Sequence, residues 1–566
     1  MTKTTQPWWR TATVYQIYPK SFADSGDKGT GDLNGITQRL PYLQALGVDA
    51  IWLTPVYASP MIDNGYDISD YYSINPNFGT MADFDRLLDE ARQRGIRIIM
   101  DIVVNHTSTE HAWFQQALAD KHSPYRDYYI WQDAVDGREP NNWQSKFGGN
   151  AWEWHEPTQQ YYLHLFAREQ ADLNWENPKV REEVKQVISF WAEKGVDGFR
   201  LDVINLISKQ QDFPSDDHGD GRRFYTDGPR VHEYLQEISA DVFQKYGSVT
   251  VGEMSSTTLE HCQQYSATDG KELSMVFNFH HLKVDYPDGE KWKLAPMDFL
   301  ALKQLFSHWQ HGLHDQGWGA LFWCNHDQPR VVSRFGQDGV YREQSAKMLA
   351  TSLHMMQGTP YVYQGEELGM TNPGFSRIEQ YRDVESINMF RILTTEQGLS
   401  EAEALAILAQ RSRDNSRTPM QWDNTRHAGF TQGTPWIDVA ENYPRINAGQ
   451  AQADPQSVFH YYRKLIALRK QVAVIVEGDY TDLLPEDQAL HVYRRRTGEQ
   501  TLICLNNYSA ELVDFDLSTV IGADGVLDFS RGKTLLCNYE DAEASTVSLA
   551  GKLCPYESRV WLFETA

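Results

Sequence analysis

The chain has 566 residues, enough for three or four domains at roughly 150 residues each. Its 77 acidic and 52 basic side chains give a formal net charge of −25, and 41% of its residues are hydrophobic. A chain of this kind buries a sizeable core, which excludes general disorder. Its acid surplus argues against a nucleic-acid or anionic-membrane partner, because phosphate backbones need clustered Lys and Arg. A small anionic ligand held in one pocket is not excluded. The five cysteines (Cys262, Cys324, Cys504, Cys537 and Cys554) include no C-x-x-C pair, which suits a reducing compartment better than a disulfide scaffold or zinc cluster. The first residues lack a secretory apolar run, and no run reaches the ~18 residues that span a bilayer, so no membrane association and a cytoplasmic location are expected.

In chain order, short apolar runs fall at 14–18, 50–53, 96–104, 198–201, 249–251, 275–279, 320–323 and 360–363. Between most of them lie helical patterns, such as 83–94, 180–194, 231–243 and 345–356. Continuous apolar strands alternating with helices predict a parallel sheet covered on both faces, and eight units predict an α/β fold of the (β/α)8 TIM-barrel type. After the third strand, residues 107–174 are rich in Trp, Tyr, Asn, Gly and Pro and too long for an ordinary loop, which predicts a small inserted domain. From residue 482 the pattern changes to alternating stretches at 491–496, 501–506, 534–539 and 559–564, which predicts a C-terminal all-β sandwich. The expected division is a barrel of 1–106 and 175–481, an insertion of 107–174 and a terminal domain of 482–566.

Catalytic groups of such barrels gather at the C-terminal strand ends. Strand three ends in DIVVNHTS, with Asp101, Asn105 and His106; strand four in GFRLDVIN, with Arg200 and Asp202 on one side of a strand. Strand five ends in VGEM, with Glu253, and strand seven in CNHDQPR, with His326 and Asp327. A lone carboxylate usually caps a helix or pairs with a base. Carboxylates converging from three strand ends suit glycosidic cleavage, in which one acid protonates the leaving oxygen while another attacks or stabilises an oxocarbenium-like centre. No H-E-x-x-H or facial-triad spacing is present, so neither a metal nor another cofactor is expected.

DIVVNH, GFRLDVIN, VGEM and NHDQPR resemble the four strand-end motifs of the α-amylase superfamily of glycoside hydrolases, and QADLNWENP resembles the extra motif of its oligo-1,6-glucosidase-like branch. The resemblance spans essentially the whole chain. It implies that Asp202 is the nucleophile forming a β-glucosyl ester, Glu253 the general acid/base and Asp327 a transition-state stabiliser. The chemistry is then retaining, with the two reacting carboxyls ~5–5.5 Å apart. Arg200 is expected to keep Asp202 ionised, and Glu253 to need a raised pKa. The resemblance further implies that His106 and His326 hydrogen-bond sugar hydroxyls, that Asp63 and Tyr66 of DNGYD grip and stack on the non-reducing glucose, and that Arg417 of RTPMQW clamps the same sugar. Blocking the far side of that sugar makes the site a pocket, hence exo-acting. Loop 21–33 resembles a calcium loop of many relatives, but Gly26 and Lys28 replace two oxygen ligands and leave Asp24 and Asp32.

Two stretches point to a phosphorylated substrate. FNFHHLKVDYPDGEKWK, after strand six, carries Lys283, Lys291 and Lys293; DGDGRRFYTDGP, after strand four, carries Arg222 and Arg223. Cations overhanging an acidic pocket are explained by a phosphate accepting charge-assisted hydrogen bonds, and the alternative is solvated lysines paired with Asp285, Asp288 and Glu290. Lys283, then Lys293 and Arg222, are the preferred phosphate ligands. HHLKVDYP and GRRFYTDGP also resemble the phosphotrehalase members of the branch, which implies a small phosphorylated disaccharide as substrate. Val203, beside the presumed nucleophile, is shared by those members and by the oligo-1,6-glucosidases, so the latter and the related transglucosylases or sucrose isomerases remain alternatives. Non-catalytic transporter subunits of the superfamily are disfavoured, because they lack the acidic trio and carry a transmembrane helix. Oligomeric state is not legible.

Overall fold

A computed structural model describes residues 6–521, 527–540 and 547–564. The outer ends of the expected division, 1–5 and 565–566, therefore lie outside the described residues. Eight strands, β1 (Val14–Ile17), β2 (Ala50–Leu53), β3 (Arg97–Ile102), β4 (Gly198–Leu201), β5 (Val249–Glu253), β6 (Met275–Phe277), β7 (Ala320–Leu321) and β8 (Thr359–Tyr363), form one parallel sheet in the order β6-β5-β4-β3-β2-β1-β8-β7. A parallel bridge between Val276 and Gly319 joins the outer strands and rounds the sheet into the expected barrel. The strands are buried almost throughout, as coverage on both faces requires. Gly198 opens β4 because a Cβ there would fall 2.4 Å from the Val249 carbonyl oxygen.

The covering helices carry their own start signals. In Pro178–Glu193, Asn177 accepts from the Lys179 N–H, Pro178 occupies the first turn, and Val180, Val184, Val187, Ile188 and Trp191 face the barrel at helical spacing. The pattern at 231–243 is helical as Val231–Ile238 and then widens into a π turn, Ser239–Phe243.

Between β3 and β4, a three-stranded antiparallel sheet (Trp131–Gln132, Gln160–Leu163 and Trp152–His155) packs Trp143, Trp152 and Leu163 against Val203, Leu206 and Phe213. The insertion therefore shares a core with the loop that follows the fourth strand. At the C-terminal end, β9 (Asp479–Asp482), β10 (Leu490–Arg496), β11 (Gln500–Asn507), β13 (Lys533–Cys537) and β15 (Ser558–Glu564) form an antiparallel sheet in the order β9-β10-β11-β15-β13. A second pair, β12 (Val513–Asp516) and β14 (Ala550–Leu553), lies over it. Ile503 and Leu505 enter the core between these layers, whereas Leu502 and Cys504 face the barrel. The sheet begins at Asp479, three residues before the expected boundary. Residues 365–457 do more than finish the barrel: Phe375, Tyr381, Leu393 and Leu408 form a separate small core above the β8 end. Among the described residues no helix is long and apolar enough to cross a membrane.

Just past β8, Glu366 is buried; it accepts from Tyr462 Oη at 2.8 Å, beside Glu367 and Arg330. Burial raises its pKa from 4.5 to about 8, against the hydrogen bonds from Tyr462 and the Tyr363 N–H. Between those two values the folded state binds more protons than the unfolded state, so this group costs stability as pH rises. Glu366→Gln should flatten the fall of the melting temperature between pH 5 and 8 and raise it at pH 8; an unchanged pH profile in differential scanning calorimetry would remove Glu366 from that role.

Candidate active site

The barrel register sets the centre of the site. Arg200 lies opposite Asp101 on one side and Val251 on the other, and Leu201 opposite Gly252, so Asp202 and Glu253 emerge at the next level. Arg200, 1% exposed, sends Nη1 to Asp101 at 2.8 Å and Asp202 at 2.6 Å, and Nη2 to Glu253. One guanidinium thus serves three carboxylates. Burial raises Asp202 to about 7, with Arg200 pulling down and Asp101 pushing up. Arg200 therefore acts in the expected direction but does not hold Asp202 in the ordinary carboxylate range, because desolvation and the like charge outweigh it. Glu253 rises further, to about 8, through burial and then the charges of Asp202 and Asp327 against Arg200. Both reacting-centre carboxyls are thus pushed well above the ordinary carboxylate range.

A second arginine group surrounds Asp327. Arg417 Nη2 lies 2.7 Å and Arg413 Nη1 3.4 Å from its Oδ1. Burial opposes ionisation of Asp327, and neighbouring His326, Arg413 and Arg417 more than reverse it. Because burial keeps His326 neutral at pH 7, the two permanent cations hold Asp327 ionised there. Arg413 also reaches Asp63 at 3.4 Å and Asp383 at 2.5 Å. Arg417, expected as a sugar clamp, lies behind Asp327 with Nε on the His326 carbonyl at 2.8 Å, while Arg413 lines the pocket itself.

Of the expected sugar-binding residues, Asp63, Tyr66 and His106 form a connected floor of the pocket, while His326, Arg200 and Arg417 are buried beneath it outside the lining. Tyr66 gives its hydroxyl to Asp101 at 2.9 Å and stacks on His326, 5.2 Å between centroids and 4° between planes. His326 Nδ1 meets Gln16 at 2.8 Å, and His106 Nε2 meets the Tyr66 carbonyl at 3.1 Å. Gln170, from the QADLN motif, donates to Asp63 at 3.2 Å. Burial raises Asp63 to about 7 against the pull of Arg413.

Above this floor opens a cavity of about 300 Å³, with Asp63, Tyr66, His106, Asp202, Glu253 and Asp327 in its lining. Phe147, Phe166 and Phe279 add apolar wall, and Lys146, Lys283 and Lys291 add cations. Lys291 is held by Glu385 at 2.7 Å. Lys146 touches Ser255 Oγ at 3.3 Å; burial, then Arg222, lowers its pKa to about 7. Lys283 is exposed at the cavity mouth, and partial desolvation there, then Arg222, lowers its pKa. Arg222 is exposed, pairs with Asp220 at 2.9 Å and stands outside the lining. Lys293 is also exposed outside it, and its backbone carbonyl accepts from Arg411 at 3.1 Å. Val203 takes a left-handed conformation, φ 36° and ψ 40°, costly for a β-branched residue, and its N–H lies 3.2 Å from Glu253 Oε2.

Sequence reasoning missed Arg413, Asp383, Glu385 and Lys146. Arg413 stands four residues before Arg417, the spacing of one helical turn, which could have flagged it. Lys146 was legible only as a lone cation in an aromatic, Gly-rich insertion. Asp383 and Glu385 offered no signal.

Loop 21–33 does not fit a hard divalent ion. Asp24 accepts from the N–H groups of Gly26 and Gly29 and from Thr431, and Asp32 accepts from Ser25 and Gly35, while Lys28 is exposed and pairs with neither. Among the described residues no cluster of three His, Cys, Asp or Glu is arranged for a metal. An ammonium occupies an oxygen cage elsewhere: buried Lys209 Nζ meets Asp172 Oδ2 at 2.9 Å, Asn105 Oδ1 at 2.9 Å and the Leu206 carbonyl at 2.8 Å. It ties the β3 end, the insertion and the loop after β4 together. Lys209→Met leaves Asp172 buried without its counter-charge and should lower stability by about 3–5 kcal/mol in urea denaturation; a loss below ~1 kcal/mol would show that the ammonium is not a structural pin.

The chain matches the family model described as alpha amylase, catalytic domain, over residues 16–478. It is 60% identical to a trehalose-6-phosphate hydrolase of Escherichia coli (strain K12), with 98% of each chain covered. It is 50% identical to an oligo-1,6-glucosidase of Halalkalibacterium halodurans over 98% of this chain and 99% of that protein. The crystal structure of Bacillus licheniformis trehalose-6-phosphate hydrolase superimposes with a TM-score of 0.94 at 56% identity, covering 99% of this chain and 100% of that one.

Proposed function

The chain belongs to the alpha-amylase family, and from that premise we propose that it is a retaining, exo-acting α-glucosidase hydrolysing trehalose 6-phosphate to glucose and glucose 6-phosphate. The observation that carries this reading is the pairing of a floor of carboxylates, Asp202, Glu253 and Asp327, with a wall of cations, Lys146, Lys283 and Lys291, in one cavity. The glucosyl unit sits on Tyr66 between Asp63, His106 and Arg413. Asp202 Oδ attacks its anomeric carbon as Glu253 gives its proton to the departing glycosidic oxygen, which releases glucose 6-phosphate and leaves a β-glucosyl ester on Asp202. Glu253 then takes a proton from water, whose oxygen attacks the same carbon, frees glucose and returns Asp202 as a carboxylate. Asp327, kept ionised by its arginines, faces the positive charge that develops on the sugar. Asp63, Tyr66 and Arg413 close the far side, so one glucosyl unit enters at a time.

Lys283 and Lys146 are the phosphate ligands of this reading. Lys291, paired with Glu385, lines the same wall, Arg222 adds its field, and Lys293 stays outside. Phosphate arriving beside Lys146 raises the pKa of that ammonium and charges it fully. Five cysteines without a C-x-x-C pair and a phosphorylated sugar both favour the cytoplasm. The oligo-1,6-glucosidase alternative shares Val203 and the acidic trio but has no use for the cationic wall. Comparing kcat/KM on trehalose 6-phosphate and isomaltose decides between them: equal or better turnover of isomaltose would overturn the proposal.

Lys283→Ala should raise KM for trehalose 6-phosphate roughly 10- to 100-fold and leave p-nitrophenyl α-glucoside unaffected, and equal losses on both would remove Lys283 from phosphate recognition. The pH profile of kcat/KM should fall on its alkaline side near the Glu253 value, about 8, since only the protonated form donates. Glu253→Gln should cut trehalose 6-phosphate turnover roughly 10²- to 10⁴-fold and abolish that limb, while α-glucosyl fluoride, whose leaving group needs little proton assistance, still glucosylates the enzyme.

A further inference from the structure

The cationic rim depends on a segment with little regular structure. Phe279, Leu282, Lys283, Tyr286 and Lys291 all line the cavity, yet the chain between them has only two short 3-10 turns, His280–Leu282 and Pro287–Gly289. A crevice of about 360 Å³ opens behind it, lined by Asp285, Leu294, Arg334 and Arg411 among others, which leaves the segment room to shift. Packing alone therefore does not hold the lysines in place.

What holds them is a buried carboxylate. Asp285, 5% exposed, receives Arg334 through Nε at 2.9 Å and Nη2 at 2.8 Å, and Arg411 through Nη1. Arg411 Nη2 also donates to the Asp285 carbonyl at 2.7 Å and to the Lys293 carbonyl at 3.1 Å, while Arg334 donates to the Leu282 carbonyl. Carbonyls on both sides of the lysine-bearing stretch are thus gripped by guanidiniums that share one anion. The ring of Tyr286 lies within 5.3 Å of the Arg334 guanidinium and 5.1 Å of the Arg411 guanidinium. Burial would neutralise Asp285, but Arg334 and Arg411 hold it below the usual carboxylate range. Both arginines belong to elements of the reacting centre: Arg334 follows Asp327 and donates to pocket-lining Gln328 at 2.8 Å, and Arg411 ends the helix that leads to Arg413.

We propose that Asp285, clamped between Arg334 and Arg411, is a positioning residue that sets the lysine-bearing rim at a fixed distance from the reacting carboxylates and so governs selectivity for a phosphorylated leaving sugar. The inference rests on the trehalose 6-phosphate reading. Asp285 and Arg411 touch neither the reacting atoms nor the glucosyl subsite, so their loss should act on the phosphate half alone.

The test is steady-state kinetics of Arg411→Lys and Asp285→Asn on trehalose 6-phosphate and on p-nitrophenyl α-glucoside, which lacks the phosphate. KM for trehalose 6-phosphate should rise roughly tenfold or more, kcat/KM for the aryl glucoside should stay within about twofold, and Asp285→Glu should recover part of the loss. An unchanged KM for trehalose 6-phosphate, or parallel losses on both substrates, would overturn the proposal. Failure of both variants to fold would also count against it, as it would make the cluster a structural pin without a selective role. If the wild-type enzyme does not prefer trehalose 6-phosphate over trehalose, the substrate reading itself fails, an outcome separate from any variant.

Discussion

Arg200 carries a permanent charge inside the barrel, where an unpaired guanidinium would cost several kcal/mol, and it is tolerated because Asp101, Asp202 and Glu253 converge on it. The same convergence crowds three acids around one cation. With burial, it pushes Asp202 and Glu253 well above the ordinary carboxylate range. The parallel register of β3, β4 and β5 brings these groups together at adjacent levels. Much of the surrounding architecture, from the Tyr66 hydroxyl on Asp101 to the strained Val203 N–H on Glu253, keeps the shared guanidinium from choosing a single partner.

A second electrostatic centre has the opposite balance. Around Asp327, two arginines exceed the local demand of one carboxylate, and Asp383 absorbs the remainder through Arg413. One barrel rim therefore holds an acid-rich half, where carboxyls are raised, and an arginine-rich half, where a carboxylate stays charged. Two short-range arrangements a few residues apart produce these two behaviours without any change in residue type.

The barrel and its acidic centre were legible because they follow local rules. Apolar runs with helical intervals announce covered parallel strands, and motifs at strand ends fall on one rim by topology. Arg413, Asp383, Glu385 and Lys146 were not read, because their importance lies in tertiary contacts: Asp383 and Glu385 open an ordinary helix, Val384–Arg391, and only the four-residue spacing to Arg417 singles out Arg413. The contact of Arg413, Glu385 and Lys146 with the pocket, and of Asp383 with Arg413 behind it, is decided by tertiary packing of the segment after β8 and of the insertion. Arg417 shows the intermediate case: its neighbourhood was foreseen, but whether it faced the sugar or the back of Asp327 depended on a competing arginine one turn away. Arg222 and Lys293 show the limit of counting charges, since nearness in sequence to a cavity does not bring a side chain into its wall.

The ammonium of Lys209 has a different kind of consequence. A dissociable ion in the Asn105, Asp172 and Leu206 cage would stabilise the fold only in proportion to its free concentration over its dissociation constant. A cation carried on the chain itself has a fixed effective concentration and exchanges only its proton with the medium. The joint between barrel, insertion and the loop bearing Val203 is thereby insulated from the ionic composition around the protein, and its integrity is inherited with the sequence.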